Sequence, residues 1–241
     1  MFWNGKNIVS FNIQVKIINR KTLCVFLYNG EILMITHTRK TLSNGKIIDI
    51  FDNIFTSVER SNHITIAQNS SYTLGSTTSD LFQVQSNTFF QSCLLQREND
   101  WKLPEYDAMN FLTSKSFDPI RKFVSGFCDD RSWLLVSSPF SQYFYHTDTS
   151  LTDKKSLTLL YYLNHRWDKN WGGETLFEND NGECEVAINY NPGRIVLFDS
   201  TLSHRPAAIS VTADEFRFTY VIQFKEIEFE DRQNYSNYEK I

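Results

Sequence analysis

Three side chains set what this sequence could do chemically. His146 and Asp148 stand two apart in Tyr145-His146-Thr147-Asp148, so on an extended segment both point to one face and can reach one metal ion. His204 sits in Ser203-His204-Arg205-Pro206, after the apolar run Arg194 to Phe198 and the polar turn Asp199-Ser200, which puts a second imidazole at the mouth of a buried strand. Two neutral imidazoles and one carboxylate form a donor set that holds Fe(II) on one face and leaves three adjacent positions open. An HxD pair alone is better explained as a polar strand end, and a single histidine there is commonly just hydrogen bonded. The surroundings argue for more. Arg217 and Thr219 lie two apart on the last apolar run, a guanidinium fork and a hydroxyl facing the same way and suited to a carboxylate. Between the histidines, Trp171 to Phe177 holds the one Gly-Gly pair of a chain with 9 glycines.

The elements that must position these groups read mostly as strands. Residues 8–37 form a meander, with Asn29-Gly30 as a turn between two apolar runs. A second turn at Asn44-Gly45 leads to apolar residues at 51, 54, 55 and 58, which suit a short amphipathic helix that Asp52 could cap. Residues 62–95, rich in Ser, Thr, Asn and Gln, read as loops and edge strands, and 118–127 as a brief helix begun by Asp118-Pro119 and ended near Gly126. After that the runs SWLLVSS, SLTLLYYL, EVAINY, RIVLF and FRFTYVIQF follow one another without helices between them. This excludes a βαβ fold and predicts an antiparallel sandwich or barrel of jelly-roll type over 119–226. The expected organisation is a meander over 1–45, either a lobe of its own or added strands of the same sheet. Supporting helix, strands and loops over 46–118 come next, then the core over 119–226 and a tail over 227–241.

At these residues the chain resembles the Fe(II)/2-oxoglutarate-dependent dioxygenases, in their prolyl 4-hydroxylase-like branch. The resemblance covers roughly 119–226 and rests on HTD at 146–148, YYLNHRW at 161–167, GGETLF at 172–177, PGRIVLFDSTLSHRP at 192–206 and RFT at 217–219. The run Tyr161-Tyr162-Leu163-Asn164 with Trp167-Asp168 looks especially like the hypoxia-type prolyl hydroxylases. The resemblance implies a mainly β fold with a double-stranded β-helix core, a few supporting helices and the N-terminal meander. It implies that His146, Asp148 and His204 bind iron, that Arg217 pairs with the distal carboxylate of 2-oxoglutarate, and that Tyr162 and Thr219 help to hold it. Hydroxylation of an unactivated C–H by O₂, with release of succinate and CO₂ and with ascorbate as reductant, is the implied reaction. A halogenase would lack the carboxylate of Asp148. The implied substrate is a prolyl or other peptidyl residue; a small molecule or nucleobase, or a jelly-roll module that binds without turnover, are the alternatives. Many relatives carry a co-substrate tyrosine about ten residues before the first ligand, whereas here Val136 fills that register and the tyrosines are Tyr143 and Tyr145.

Composition bounds the rest. With 241 residues, 41% of them hydrophobic and 15% aromatic, the chain can bury a sizeable core. A net charge of −4 gives no basic excess for nucleic acid or an anionic membrane. The cysteines at 24, 93, 128 and 184 form no CxxC pair and fit reduced thiols in the cytoplasm. Polar residues break every apolar stretch of the first 17, so neither a signal peptide nor a membrane span is expected there. His37, His63 and His165 are read as hydrated or ordinarily hydrogen bonded, not as ligands.

Overall fold

The computed structural model describes residues 14–18, 21–28, 31–79, 84–149 and 155–227. In chain order the strands are β1 (Gln14–Ile18), β2 (Lys21–Tyr28), β3 (Glu31–Thr41), β4 (Ile47–Asp52), β5 (Thr73–Ser79), β6 (Val84–Gln96), β7 (Trp101–Lys102) and β8 (Phe127–Ser137). Then follow β9 (Ser156–Tyr162), β10 (Thr175–Glu178), β11 (Cys184–Ile188), β12 (Ile195–Asp199), β13 (His204–Pro206) and β14 (Arg217–Glu226). Eleven of them make one sheet in the order β1-β2-β3-β4-β12-β9-β14-β8-β6-β5, with β7 on β6, and a second sheet runs β11-β10-β13. The result is the mainly β, antiparallel jelly roll that the strand runs predict.

The central strands read as near-continuous apolar runs because both of their faces are covered. On β9, Leu159 and Tyr161 pack outward against the helices while Leu160 and Tyr162 face the second sheet. On β14, Tyr220, Ile222 and Phe224 join the helical side and Val221 the inter-sheet side, with Arg217 and Thr219 in the same alternation. The outer cluster packs against α1 (Ser57–Asn69), α2 (Pro104–Met109) and α3 (Asp118–Arg121) through Ile64, Ala67, Met109 and Ile120. The inner cluster, with Phe177, Ile188, Tyr190, Val196 and Phe198, is the filling between the two sheets.

Two sequence readings are corrected. The apolar residues near 51–58 do not make a helix capped by Asp52. Residues 47–52 are β4, whose middle four residues are all buried, and the helix starts later, at Thr56. There Thr56 and Glu59 form a capping box, Thr56 accepting from the Glu59 N–H and Glu59 accepting from the Thr56 N–H. The same helix runs to Asn69 and so replaces the loops expected from 62 onward, although β5 and β6 beyond it are strands as read. Glu59 also receives hydrogen bonds from Ser114 and Ser116, which ties the helix start to the segment before α3. The Asn44-Gly45 turn is present, with Gly45 at φ +82°. The Asn29-Gly30 turn and the tail beyond 227 lie outside the described residues, while β2 and β3 on either side of that turn do pair.

Candidate metal and co-substrate site

His146 and Asp148 do not lie on a regular strand. His146 makes a single antiparallel bridge to His204, the first residue of β13, with N–H···O distances of 3.1 and 2.9 Å, and the Asp148 N–H donates to the Ser200 carbonyl at 2.9 Å. That bridge sets the two imidazoles side by side, ring centroids 4.6 Å apart. Asp148 Oδ1 stands 3.6 Å from His146 Nε2 and Oδ2 3.7 Å from His204 Nε2. The three candidate ligand atoms all fall within 4.8 Å of one another, as a shared metal ion requires.

Each imidazole is oriented by its other nitrogen. His146 Nδ1 is 3.0 Å from the Phe144 carbonyl and His204 Nδ1 is 3.0 Å from the Leu202 carbonyl. A carbonyl can only accept, so both rings carry their proton on Nδ1 and turn a bare Nε2 toward the cluster. Burial holds the His204 imidazole below its ordinary range, against the pull of Asp148, which keeps it neutral. The carboxylate is aimed as well. The Thr158 hydroxyl donates to Asp148 Oδ2 at 2.5 Å, so the Ser200 hydroxyl, 2.9 Å from that of Thr158, must be the donor in their contact.

A cavity of ≈ 220 Å³ opens beside the cluster, lined by all three residues together with Arg217 and Thr219. Arg217 is 2% exposed and makes no ion pair with a carboxylate among the described residues. Its Nε donates to the Gly173 carbonyl at 3.1 Å. The Thr219 hydroxyl is fully buried and has no hydrogen-bond partner among the described residues. A buried cation without an anion and a buried hydroxyl without a partner, both opening on one cavity, are the complement of a carboxylate. Together with the His-Asp-His donor set, they fit Fe(II) and 2-oxoglutarate.

Five of the six candidate residues thus converge on one cavity. The sixth, Tyr162, stands one layer behind. It is wholly buried, its hydroxyl 2.6 Å from that of Thr175 and also in contact with Arg217, and Thr175 is the residue that reaches the cavity wall. Tyr143, which sequence reasoning left without a role, lines the cavity. Burial pushes its phenol up, opposed by its hydrogen bond to Ser137 and by the charge of Arg217. The signal was present as a tyrosine close before His146, but a loop rather than a strand carries it, so no register could be counted. Val136, at the register where relatives have the tyrosine, is buried and does not line the cavity.

Residues 133–224 match the 2OG-Fe(II) oxygenase superfamily. Over this segment the chain is similar to that superfamily. The segment holds every candidate residue named above. No curated protein matches the chain. Among solved structures it is similar to a prolyl hydroxylase from Trichoplax adhaerens in complex with a hypoxia inducible factor peptide fragment, at 17% identity and a TM-score of 0.56 over 74% of this chain and 83% of that one. It is also similar to a prolyl-4-hydroxylase from Pseudomonas putida, at 13% identity and TM-score 0.53 over 75% and 93%. A third is HygX from Streptomyces hygroscopicus with nickel and 2-oxoglutarate bound, at 12% identity and TM-score 0.53 over 76% and 84%. At such identities the likeness is one of fold.

The remaining histidines play other parts. His37 lies 2.6 Å from Asp49, which Arg39 also grips with two hydrogen bonds. His63 is hydrogen bonded rather than hydrated, its Nδ1 3.3 Å from the Tyr161 hydroxyl. It is 3% exposed on α1 among Phe55, Phe111 and Tyr161, and burial lowers its pKa to about 4.

Proposed function

We propose that this protein is an Fe(II)- and 2-oxoglutarate-dependent dioxygenase that hydroxylates an unactivated C–H of a peptidyl residue, prolyl by first preference. The observation that carries the reading is the convergence of His146, Asp148, His204, Arg217 and Thr219 on one cavity. In this reading His146, Asp148 and His204 hold the iron, and Arg217 and Thr219 hold the distal carboxylate of 2-oxoglutarate. Tyr162 acts from behind, through Arg217 and Thr175. Bound there, iron and 2-oxoglutarate supply O₂ activation coupled to oxidative decarboxylation, which releases succinate and CO₂ and delivers one oxygen atom to the substrate.

The chain's own part is orientation. The Phe144 and Leu202 carbonyls fix the two imidazole tautomers, and Thr158 with Ser200 fixes the carboxylate. Leu135, Leu160, Val221 and Trp133 give the cavity an apolar wall beside the three ligand residues.

The choice of a peptidyl substrate is supported by the YYLN and Trp167-Asp168 run and by the charge of the wall. Once Arg217 and Asp148 are assigned, the other described lining residues are apolar or neutral, with Gln91 and Gln223 as carboxamides. A free amino acid or a nucleotide would bring charges that this wall leaves unpaired, whereas a peptide unit asks only for hydrogen bonds. No helix among the described residues is long and apolar enough to cross a membrane. A reducing, cytoplasmic setting is part of the same proposal, supported by the wide spacing of the cysteines at 24, 93, 128 and 184.

The test is succinate release from purified protein given Fe(II), ascorbate and 2-oxoglutarate, with proline-containing peptides or with small molecules. Peptide-stimulated succinate that disappears in Asp148→Ala and His204→Ala is the expected result. Stimulation by small molecules alone would replace the peptidyl assignment, and failure to bind either Fe(II) or 2-oxoglutarate would remove the enzymatic one.

A further inference from the structure

The stabilisation of Arg217 is unusual for a buried cation. Its guanidinium has no acid beside it among the described residues, and a lone buried charge is strongly unfavourable. What surrounds it is aromatic. The Arg217 Cζ lies 4.7 Å from the centre of the Tyr190 ring and 5.4 Å from that of Tyr162. These two rings stack on each other at 4.4 Å, and Trp167 closes on Tyr190 at 4.7 Å.

The cage is braced to the strand that carries the arginine. The Tyr190 hydroxyl is 2.6 Å from Asn164 Oδ1 and 2.5 Å from the carbonyl of Phe218, and the Phe218 N–H donates to the same Asn164 oxygen at 2.9 Å. The Trp167 indole N–H donates to the Gly172 carbonyl at 2.9 Å, which fixes the Gly-Gly segment whose next carbonyl takes Arg217 Nε. Gly173 sits at φ +78°, and a Cβ there would come within 3.3 Å of Arg217 Cδ and 3.4 Å of Trp167 Cζ2. The Gly-Gly pair is therefore more than a turn: it lets the arginine stem and the indole close on one backbone.

We propose that Tyr190 and Trp167 are positioning residues that hold Arg217 in its carboxylate-binding pose before 2-oxoglutarate arrives. This rests on the reading of Arg217 as the co-substrate anchor. With Nε taken by Gly173 and the guanidinium set against an aromatic ring, few rotamers remain to be lost when the carboxylate binds. An acid in place of the rings would steady the cation equally well but would compete with the incoming dianion. Quadrupoles stabilise the charge without neutralising it, so the pocket keeps its attraction for 2-oxoglutarate.

The experiment measures 2-oxoglutarate dissociation constants by calorimetry on the full chain with Mn(II) in place of iron, and kcat for succinate separately. Tyr190→Phe keeps the ring and is expected within about threefold of wild type, while Tyr190→Leu and Trp167→Leu each raise the constant about tenfold. Mn(II) affinity, and kcat at saturating 2-oxoglutarate, stay within about twofold in all three. A folded Tyr190→Leu with wild-type affinity overturns the proposal, as does a parallel loss of Mn(II) affinity, which would mark a collapsed fold instead of a loosened anchor. If Tyr190→Leu does not fold, Trp167→Leu decides in its place. Arg217→Met separates the two levels: retained 2-oxoglutarate affinity there sinks the anchor itself, whereas its loss, with Tyr190→Leu and Trp167→Leu unaffected, sinks the cage alone.

Discussion

Thr219 and Asp148 show two opposite ways in which a polar side chain is held in this interior. Asp148 is oriented within the protein itself, with the Thr158 hydroxyl donating to Oδ2 and its own N–H donating to the Ser200 carbonyl. Thr219 is the reverse, a buried hydroxyl that nothing among the described residues satisfies. An unsatisfied buried polar group costs about 1–3 kcal/mol, and binding of a carboxylate removes that cost. Two effects of opposite sign follow for Thr219→Val, which has nearly the same shape. The ligand-free protein is expected to gain about 1 kcal/mol of stability in urea titration, while its affinity for 2-oxoglutarate falls about five- to tenfold. A variant destabilised without ligand would mean that the hydroxyl already has a partner, and an unchanged affinity would mean that it does not face the carboxylate.

Among the elements, β9, β12 and β14 were legible as strands because burial on both faces leaves nearly unbroken apolar runs, β8 was legible only in its second half, where Trp133 to Val136 follow Asp-Asp-Arg-Ser, and the site residues on β14 followed from simple alternation. Helix α1 was not legible from its periodicity. Only His63, Ile64 and Ala67 of its residues are buried, too few to mark a face, and what fixes its start is the Thr56–Glu59 box. The place of Tyr143 escaped for a related reason, since loop side chains have no period to read. The apolar environment of His63 carries a pH consequence. Its pKa falls from 6.5 to about 4 in the fold, mainly by burial, so the unfolded chain takes up the proton first. The sign is therefore a loss of stability as pH descends from 6.5 to about 4, amounting to about 3 kcal/mol, with no penalty above that window and no further loss from this group below it. His63→Leu, which cannot titrate, is expected to lose about 3 kcal/mol less than wild type between pH 7 and pH 4 in denaturant titrations. Superimposable pH profiles for the two proteins would show that the ring is protonated in place.

At the scale of the whole molecule the two sheets meet across the site. His146 and His204 join the short sheet through their bridge, and the co-substrate residues come from the long sheet, so ligands that engage both should clamp the jelly roll shut. The two ligand sets can be separated by linkage. A ligand that binds only the folded state at a hundred times its Kd adds about 2.7 kcal/mol, and for a chain of this size that raises Tm by roughly 5–10 °C. Mn(II) alone is expected to give one such increment through His146, Asp148 and His204, and 2-oxoglutarate a second on top of it through Arg217 and Thr219. Arg217→Met should keep the first and lose most of the second. Asp148→Ala should lose the first and, because the co-substrate also needs the metal, shrink the second. If the two increments appear in either order and survive both substitutions, the ligands bind elsewhere, and the cavity between the sheets is not where they meet.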